Sequence, residues 1–128
     1  MSNRSLKLIN ILVDKLKFLT TRNLHKIVDL LEEEVFEEND YIIHQGTHGD
    51  TFYIISKGHV EIKKHDETTG EDSVLREMGE GSYFGEMALL SEDDLRTASV
   101  ICKTRTHCYT LDRDPFIRLI GSVVEKVF

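Results

Sequence analysis

The sequence predicts an α+β domain, in which a compact β-sandwich or β-roll carries helices at its ends. Three observations support this fold class. Apolar side chains recur at helical spacing through the first thirty or so residues. The pattern then changes to short runs of β-branched and aromatic residues, which are separated by turns rich in glycine. Helical spacing returns after residue 111, so the chain reads as helices, then strands, then a helix.

Residues 1–34 are predicted to form the N-terminal helices. The segment LKLINILVDKLKFL, residues 6–19, spaces its leucines and isoleucines as one apolar face of a helix requires. A second helix is expected after Thr20 or Thr21, since threonine suits the position that caps a helix N-terminus. The apolar positions of this helix are Leu24, Ile27, Val28 and Leu31. The acidic run Glu32–Glu34 is interpreted as its solvated end.

Residues 35–111 are predicted to form the β region. His59–Lys64 alternates polar and apolar side chains, as a half-buried strand does, and Asp66–Asp72 is the expected tip of a hairpin. Glycines punctuate the region, consistent with tight turns. The other predicted strands include Val35–Phe36, Tyr41–Ile43, Phe52–Ile55, Ser73–Met78, Ala98–Ile101 and Thr106–Leu111.

Residues 112–128 are predicted to form a C-terminal helix. Asp112 or Asp114 can cap its N-terminus, and Pro115 suits the first turn. Its apolar stripe consists of Phe116, Leu119, Ile120, Val123, Val124 and Val127.

Composition narrows the possible functions of this 128-residue chain. A net charge of −7 argues against general binding to nucleic acids or anionic membranes, which depends on basic surface. Charged and polar residues interrupt every apolar stretch before it could span a bilayer, and the N-terminus lacks the features of a signal peptide. Cys102 and Cys108 fall in one predicted strand region, about 20 Å apart at ~3.3 Å per residue. They are therefore expected to be buried, reduced thiols of a cytoplasmic protein rather than a disulfide.

The segment FGEMALLSEDDLRTA, residues 84–98, carries the chemistry of a binding site. Gly85 permits a sharp turn, and the helical turn that follows would present backbone N–H groups that bind an anion. Ala88 leaves room for a ligand to approach the backbone. Arg96 can make a two-pronged, charge-assisted contact with phosphate oxygens. Glu86 is an acceptor and is expected to face a hydroxyl, such as that of a ribose, rather than the phosphate.

This segment resembles the phosphate-binding cassette of cyclic nucleotide-binding domains, whose pattern is F-G-E-x-A-L…R-[T/A]-A. Upstream, GTHGDTFYIISKGHVEI, residues 46–62, resembles the G-x-x-G-D-x-x-Y-x-I-x-x-G-x-V signature of the same family. The resemblance extends over nearly the whole chain and is greatest to the regulatory domains of cGMP-dependent protein kinases. It implies an antiparallel, eight-stranded, jelly-roll-like β-roll, flanked by the N-terminal helices and the C-terminal helix.

The resemblance also implies roles for individual residues. Glu86 would accept a hydrogen bond from the ribose 2′-hydroxyl, while Arg96 and backbone amides would hold the cyclic phosphate. Gly49 and Gly58 match glycines that shape the turns of the roll. The candidate ligand-binding residues of the cassette are Gly85, Glu86, Met87, Ala88, Arg96, Thr97 and Ala98.

Two positions bear on the identity of the base. In the family, a hydroxyl at the position of Thr97 is typical of cGMP sites, where it can bridge the guanine 2-amino group and the phosphate. Arg76, with Leu75 before it, matches an arginine that contacts guanine in cGMP-dependent kinases. A guanidinium can donate to guanine O6 and N7, whereas adenine has a donor at its 6-position. The expected ligand is therefore cGMP, with cAMP as the alternative.

The implied function is regulatory and non-catalytic. Binding would order the cassette and draw in the C-terminal helix, with Leu89 or Leu90 packing against Phe116, Leu119 and Ile120. The controlled element would be the catalytic domain of a serine/threonine protein kinase in the same polypeptide, outside this chain. The chain itself would then be an excised domain with a truncated C-terminal helix.

Other readings stay open at this stage. The domain could instead be a cAMP-binding module of a kinase regulatory subunit or channel, a degenerate domain without a ligand, or a small enzyme on a β-roll. Arg76 could simply pair with Glu77 or Glu80 on a strand. No cofactor is expected, because His44 and His48 have a metal-like spacing but lie in a glycine-rich segment without a third ligand.

Overall fold

A computed structural model describes residues 21–85 and 95–118. Within these residues the chain forms one α-helix, α1 (Thr21–Leu30), then a series of strands, and finally a short helix, α2 (Arg113–Phe116). The strands are β1 (Glu32–Phe36), β2 (Tyr41–Ile43), β3 (Thr51–Lys57), β4 (Val60–His65), β5 (Asp72–Met78), β6 (Tyr83–Phe84), β7 (Ser99–Cys102) and β8 (Thr106–Asp112).

The described strands make two four-stranded sheets, with the orders β1-β8-β3-β6 and β2-β7-β4-β5. Every pair of neighbouring strands is antiparallel. Side chains from both sheets meet in one buried core, as expected when alternate residues of each strand face inward. Its members are Ile43, Ile55, Val60, Met78, Phe84, Val100, Cys102 and Cys108. The prediction of a mostly antiparallel β fold with few helices is confirmed.

The interpretation of Glu32–Glu34 as a helix end was wrong. The N–H group of Leu31 still donates to the carbonyl of Ile27 at 3.1 Å, but Glu32–Phe36 pairs with β8 as strand β1. Glutamate favours helices, and three consecutive exposed acids show no alternation that would reveal a strand. The first four residues of β1 are all exposed, and charged side chains suit a strand at the edge of a sheet.

The cysteines also differ from expectation in their placement. Cys102 lies on β7 and Cys108 on β8, so a turn at residues 103–105 puts them in different sheets rather than on one strand. Both are free and buried, which confirms that they do not form a disulfide. The two-residue strand β6 was not predicted, because it is too short to show any periodicity.

Helix α2 begins where β8 ends, and it covers one end of the β3–β8 pair. Asp112 occupies the capping position, although its side chain makes no capping hydrogen bond. Phe116 is buried, with its ring centroid 5.0 Å from that of Phe52 on β3. The predicted helical residues 1–20 and 119–128 lie outside the described residues. None of the described helices is long and apolar enough to cross a membrane.

Candidate functional site

A cavity of about 200 Å³ lies against the sheet β2-β7-β4-β5, beside the end of β6. Its floor is apolar, because inward-facing side chains of several strands reach the same place. These apolar residues are Ile43, Ile62, Met78, Phe84 and Val100. Residues 95–98 form one wall and supply the polar groups, and β5 contributes the other wall.

Six of the candidate residues named from the sequence line this one cavity. They come from three separate parts of the chain, which only the folded sheet brings together: Leu75, Arg76, Gly85, Arg96, Thr97 and Ala98. The candidates Glu86, Met87 and Ala88 lie outside the described residues, so the structure places only part of the predicted set.

Arg96 is a buried arginine, with only 7% of its surface exposed. Its Nη1 donates to the carbonyl oxygen of Gly85 at 2.7 Å, and its Nη2 donates to the carbonyl oxygen of Thr51 at 2.7 Å. Arg96 is therefore not an ordinary surface arginine. A buried charge needs such hydrogen bonds, because an unsatisfied charge in the interior is very costly.

The backbone of Arg96 is fixed as firmly as its side chain. Its N–H group donates to the carbonyl oxygen of Thr47 at 2.7 Å, and its carbonyl oxygen accepts from the N–H group of Gly46 at 2.8 Å. The neighbouring pair His48 and Leu95 forms an isolated antiparallel bridge. The guanidinium thus projects from a chain segment that is paired to the loop before β3.

Gly85 joins β6 to the rest of the cassette in a conformation that favours glycine, with φ of +96°. A Cβ atom there would lie 2.9 Å from the carbonyl oxygen of Thr51 and 3.2 Å from Nη1 of Arg96. Both the backbone angle and the lack of space therefore require glycine. This explains physically why the motif has glycine at the point where its carbonyl receives the arginine.

The β5 wall of the cavity is the edge of its sheet. Leu75 is 54% exposed and Arg76 is also exposed, with Nη2 of Arg76 3.8 Å from the sulfur of Met78. Glu77, a suggested alternative partner of Arg76, lies 3.4 Å from Nε2 of His59. Arg76 therefore stands at the open side of the cavity.

Tyr53 was not singled out from the sequence, although it packs directly behind the site. Its ring stacks on that of Phe84 with centroids 5.0 Å apart. Burial raises the pKa of the Tyr53 hydroxyl, and the positive charge of Arg96 acts in the opposite direction. The apolar floor was also missed as a site, because its residues look like ordinary inward positions of strands. Alternation was noted only for His59–Lys64, which includes Ile62, and alternation does not distinguish a cavity from a core.

His44 and His48, which have a metal-like spacing, do not form a metal-binding cluster with other described residues. His44 stacks on Tyr41 with ring centroids 4.7 Å apart. In residues 21–85 and 95–118, no group of three or more histidine, cysteine or acidic side chains could hold a metal ion.

The chemistry of the cavity suits a particular shape of ligand. A guanidinium at one wall can bind an anion, preferably a phosphate, whose oxygens match its planar fork. The apolar floor can bury a flat, weakly polar body, and the side chains of Arg76 and Thr97 can donate hydrogen bonds to the edge of that body.

The sequence of this chain matches one family profile and is similar to regions of known protein kinases and their regulatory subunits. The sequence profile described as "Cyclic nucleotide-binding domain" matches residues 33–122. A cGMP-dependent protein kinase of Drosophila melanogaster, isozyme 2 forms cD5/T2, is 44% identical over 111 residues, which cover 85% of this chain and 12% of that protein. A cAMP-dependent protein kinase regulatory subunit of Mucor circinelloides f. lusitanicus is 41% identical over 110 residues, covering 86% of this chain and 25% of that protein.

A solved structure agrees with these sequence matches. The cAMP-bound structure of PfPKA-R matches with a TM-score of 0.92 at 30% identity, covering 98% of this chain and 45% of that one. The chain thus spans less than half the length of each of these proteins.

Proposed function

This chain belongs to the family of cyclic nucleotide-binding domains, and from that premise we propose that it is a non-catalytic regulatory module whose ligand is cGMP. The observation that carries the proposal is the buried guanidinium of Arg96 at the wall of a cavity with an apolar floor. Such a site gives the cyclic phosphate its charge-assisted contact and gives the base a dry surface. Glu86 is proposed to accept from the ribose 2′-hydroxyl, and Met87 and Ala88 to line the phosphate end.

The proposed choice of base depends on Arg76 and Thr97. Both line the cavity with Arg96. Arg76 can donate to guanine O6, and the Thr97 hydroxyl can accept from the guanine 2-amino group; adenine lacks both of these groups. The relative with 44% identity is named a cGMP-dependent protein kinase, which supports the same choice.

The alternative ligand is cAMP, favoured by the names of two other similar proteins, one a cAMP-dependent kinase regulatory subunit and one a cAMP-bound structure. Calorimetric titration with cGMP, cAMP and the linear nucleotide 5′-GMP separates the possibilities. We expect cGMP to bind most tightly and 5′-GMP most weakly. Equal or tighter binding of cAMP would overturn the choice of base, and binding of neither cyclic nucleotide would overturn the function.

Two substitutions test the base contacts one at a time. Thr97→Ala is expected to weaken cGMP binding by about 2- to 13-fold, the value of one neutral hydrogen bond, and to leave cAMP binding nearly unchanged. Arg76→Ala is expected to weaken cGMP binding more, by about 10- to 150-fold, because its contact is charge-assisted. Thr68→Ala at the exposed β4–β5 turn is the matched control. Equal losses for both nucleotides would contradict the assigned base contacts.

Binding is proposed to act on a kinase catalytic domain in the same polypeptide, in the cytoplasm. Helix α2 begins beside the loop before β3, where the N–H group of Arg113 donates to the carbonyl of Asp50 at 2.8 Å. A change at the cavity thus has a short route to the start of the C-terminal helix. The hydrophobic partners predicted from the sequence, Leu89 and Leu90 on one side and Leu119 and Ile120 on the other, lie outside the described residues.

A kinase assay tests this step. In the polypeptide that carries both domains, saturating cGMP is expected to raise phosphate transfer to a substrate peptide. Arg96→Ala should move the half-activating concentration of cGMP upward. If the protein binds cGMP but its kinase activity does not change with cGMP concentration, the proposed transmission from the binding domain to the catalytic domain is contradicted.

A further inference from the structure

Gly49 ends the loop before β3, and the guanidinium of Arg96 occupies the space where a side chain at this residue would lie. A Cβ atom on Gly49 would be 2.2 Å from Nε, 2.3 Å from Cζ and 2.8 Å from Nη2 of Arg96. Real Cβ contacts essentially never fall below 3.0 Å. All three nearest atoms belong to the one arginine, so the backbone of Gly49 forms a surface on which the guanidinium rests.

Backbone conformation does not explain this glycine. The glycines with positive φ are Gly46, Gly58, Gly70, Gly81 and Gly85, and Gly49 is not among them. Alanine could therefore adopt the backbone angles at residue 49 without the strain that such a φ imposes. The close approach of Arg96 is the remaining reason for glycine.

The loop itself is held in place from the opposite side. The side chain of Arg113 donates to the carbonyl oxygen of Gly49, and the N–H group of Arg113 donates to the carbonyl of Asp50 at 2.8 Å. The carbonyl of Thr47 accepts from the N–H group of Arg96 at 2.7 Å. Because the loop is held at these points, an added methyl group at residue 49 would displace the end of the Arg96 side chain rather than the loop.

We propose that Gly49 is a positioning residue for ligand binding: the absence of a side chain there lets the Arg96 guanidinium lie against the loop and fixes it at the cavity wall. In that place, Nη1 and Nη2 reach the carbonyls of Gly85 and Thr51. This inference rests on the proposed function, in which Arg96 holds the cyclic phosphate. Gly49 itself needs no contact with the nucleotide.

The substitution Gly49→Ala tests the inference, and Gly79→Ala is its matched control. Gly79 also lacks a positive φ, and a Cβ atom there would meet its nearest neighbours at ordinary distances, 3.6 Å from Nδ1 of His59 and 3.7 Å from the carbonyl oxygen of Gly58. In calorimetric titrations with cGMP, Gly49→Ala is expected to bind about tenfold more weakly or worse, since a charge-assisted contact is disturbed. Gly79→Ala should bind like the wild type.

A double-mutant cycle distinguishes positioning from general damage to the fold. In the Arg96→Ala background the guanidinium is absent, so adding Gly49→Ala should cause no further loss of cGMP affinity. The melting temperature of the ligand-free domain should show the same pattern. Gly49→Ala should lower it in the wild-type background and leave it unchanged in the Arg96→Ala background. Equal losses in both backgrounds would overturn the inference.

The outcomes also separate this inference from the function on which it rests. If the wild type binds cGMP or cAMP and Gly49→Ala binds equally tightly, only the role of Gly49 is wrong. If the wild type binds neither nucleotide, the proposed function fails, and the role of Gly49 fails with it.

Discussion

Arg96 serves the structure and the proposed binding site with the same guanidinium. Its two hydrogen bonds connect the carbonyl of Thr51, at the start of β3, to the carbonyl of Gly85, at the start of the cassette. These backbone carbonyls, and not the ligand, hold the arginine at the cavity wall. Such preorganisation reduces the ordering cost that binding would otherwise incur.

Arg96→Ala is expected to weaken cGMP binding by about 1.5–3 kcal/mol, the scale of a hydrogen bond to a charged group. It should also lower the melting temperature of the ligand-free domain, because two backbone carbonyls lose their donor. Titration calorimetry and thermal unfolding measure the two effects separately. Arg105→Ala is the control, since Arg105 is exposed and pairs only loosely with Glu37 at 3.3 Å. Unchanged cGMP affinity in Arg96→Ala would contradict the proposed contact between Arg96 and the cyclic phosphate.

The buried thiol of Cys108 is expected to make the stability of the domain depend on pH in the alkaline range. Burial raises the pKa of the Cys108 thiol to about 12, whereas the thiol of an unfolded chain titrates near a pKa of about 8.5. The folded state therefore keeps a proton that the unfolded state has lost. Stability from this group is complete below about pH 8.5 and is lost as pH rises toward about 12, by up to about 1.4 kcal/mol per pH unit.

Urea unfolding of the wild type and Cys108→Ala, at pH 8, 9, 10 and 11 under reducing conditions, measures this effect. The variant retains Tyr53, and burial also raises the pKa of the Tyr53 hydroxyl. We expect the variant to be less stable at pH 8 and the difference to shrink as pH increases. If the difference in the free energy of unfolding between the two proteins stays constant from pH 8 to pH 11, the buried, protonated thiol is contradicted.

At the scale of elements, one aromatic side chain supplies the buried apolar contact of helix α2 with the roll. Phe116 is fully buried, and its ring packs on that of Phe52 while Phe52 contacts the ring of Tyr83 edge-on, with centroids 5.6 Å apart. This small aromatic cluster joins the helix to β3 and β6. This contact therefore couples the helix to the β-roll, beside the hydrogen bond from Arg113 to Asp50.

Phe116→Ala is expected to lower the free energy of unfolding by about 3–5 kcal/mol, because it leaves a cavity between α2 and β3. Chemical denaturation at neutral pH gives the value directly. The adjacent substitution Ile117→Ala is the control, since Ile117 is 43% exposed, and it should change stability by about 0.5 kcal/mol or less. Similar losses for the two variants would mean that Phe116 does not anchor the helix.

Some elements could be predicted because their residues alternate. His59–Lys64 showed the period of two that a half-buried strand needs, and the structure has β4 at Val60–His65. Only Val35–Phe36 of strand β1 was predicted, because Glu32–Glu34 are all exposed and three glutamates carry no periodic signal. Whether Ala98–Ile101 and Thr106–Leu111 form one strand or two was left open, since no glycine or proline marks the turn at residues 103–105.

At the scale of the whole molecule, the sequence located the polar part of the site but not its floor. Arg96, Thr97 and Gly85 belong to one short motif, whereas Arg76 lies before that motif on β5 and joins them through the pairing of β5 with β4 and of β4 with β7. The apolar floor and the role of Gly49 depend on distances between strands and loops. Those distances follow from tertiary packing, which no local pattern encodes.

The most direct test of the central claim is a crystal structure of the domain grown with cGMP. We expect an oxygen of the cyclic phosphate to lie about 2.7–2.9 Å from a nitrogen of the Arg96 guanidinium, as in a charge-assisted hydrogen bond, with the guanine over Ile62 and Val100. A well-ordered map in which cGMP is absent from this cavity, or is bound there without any contact to Arg96, would contradict the account.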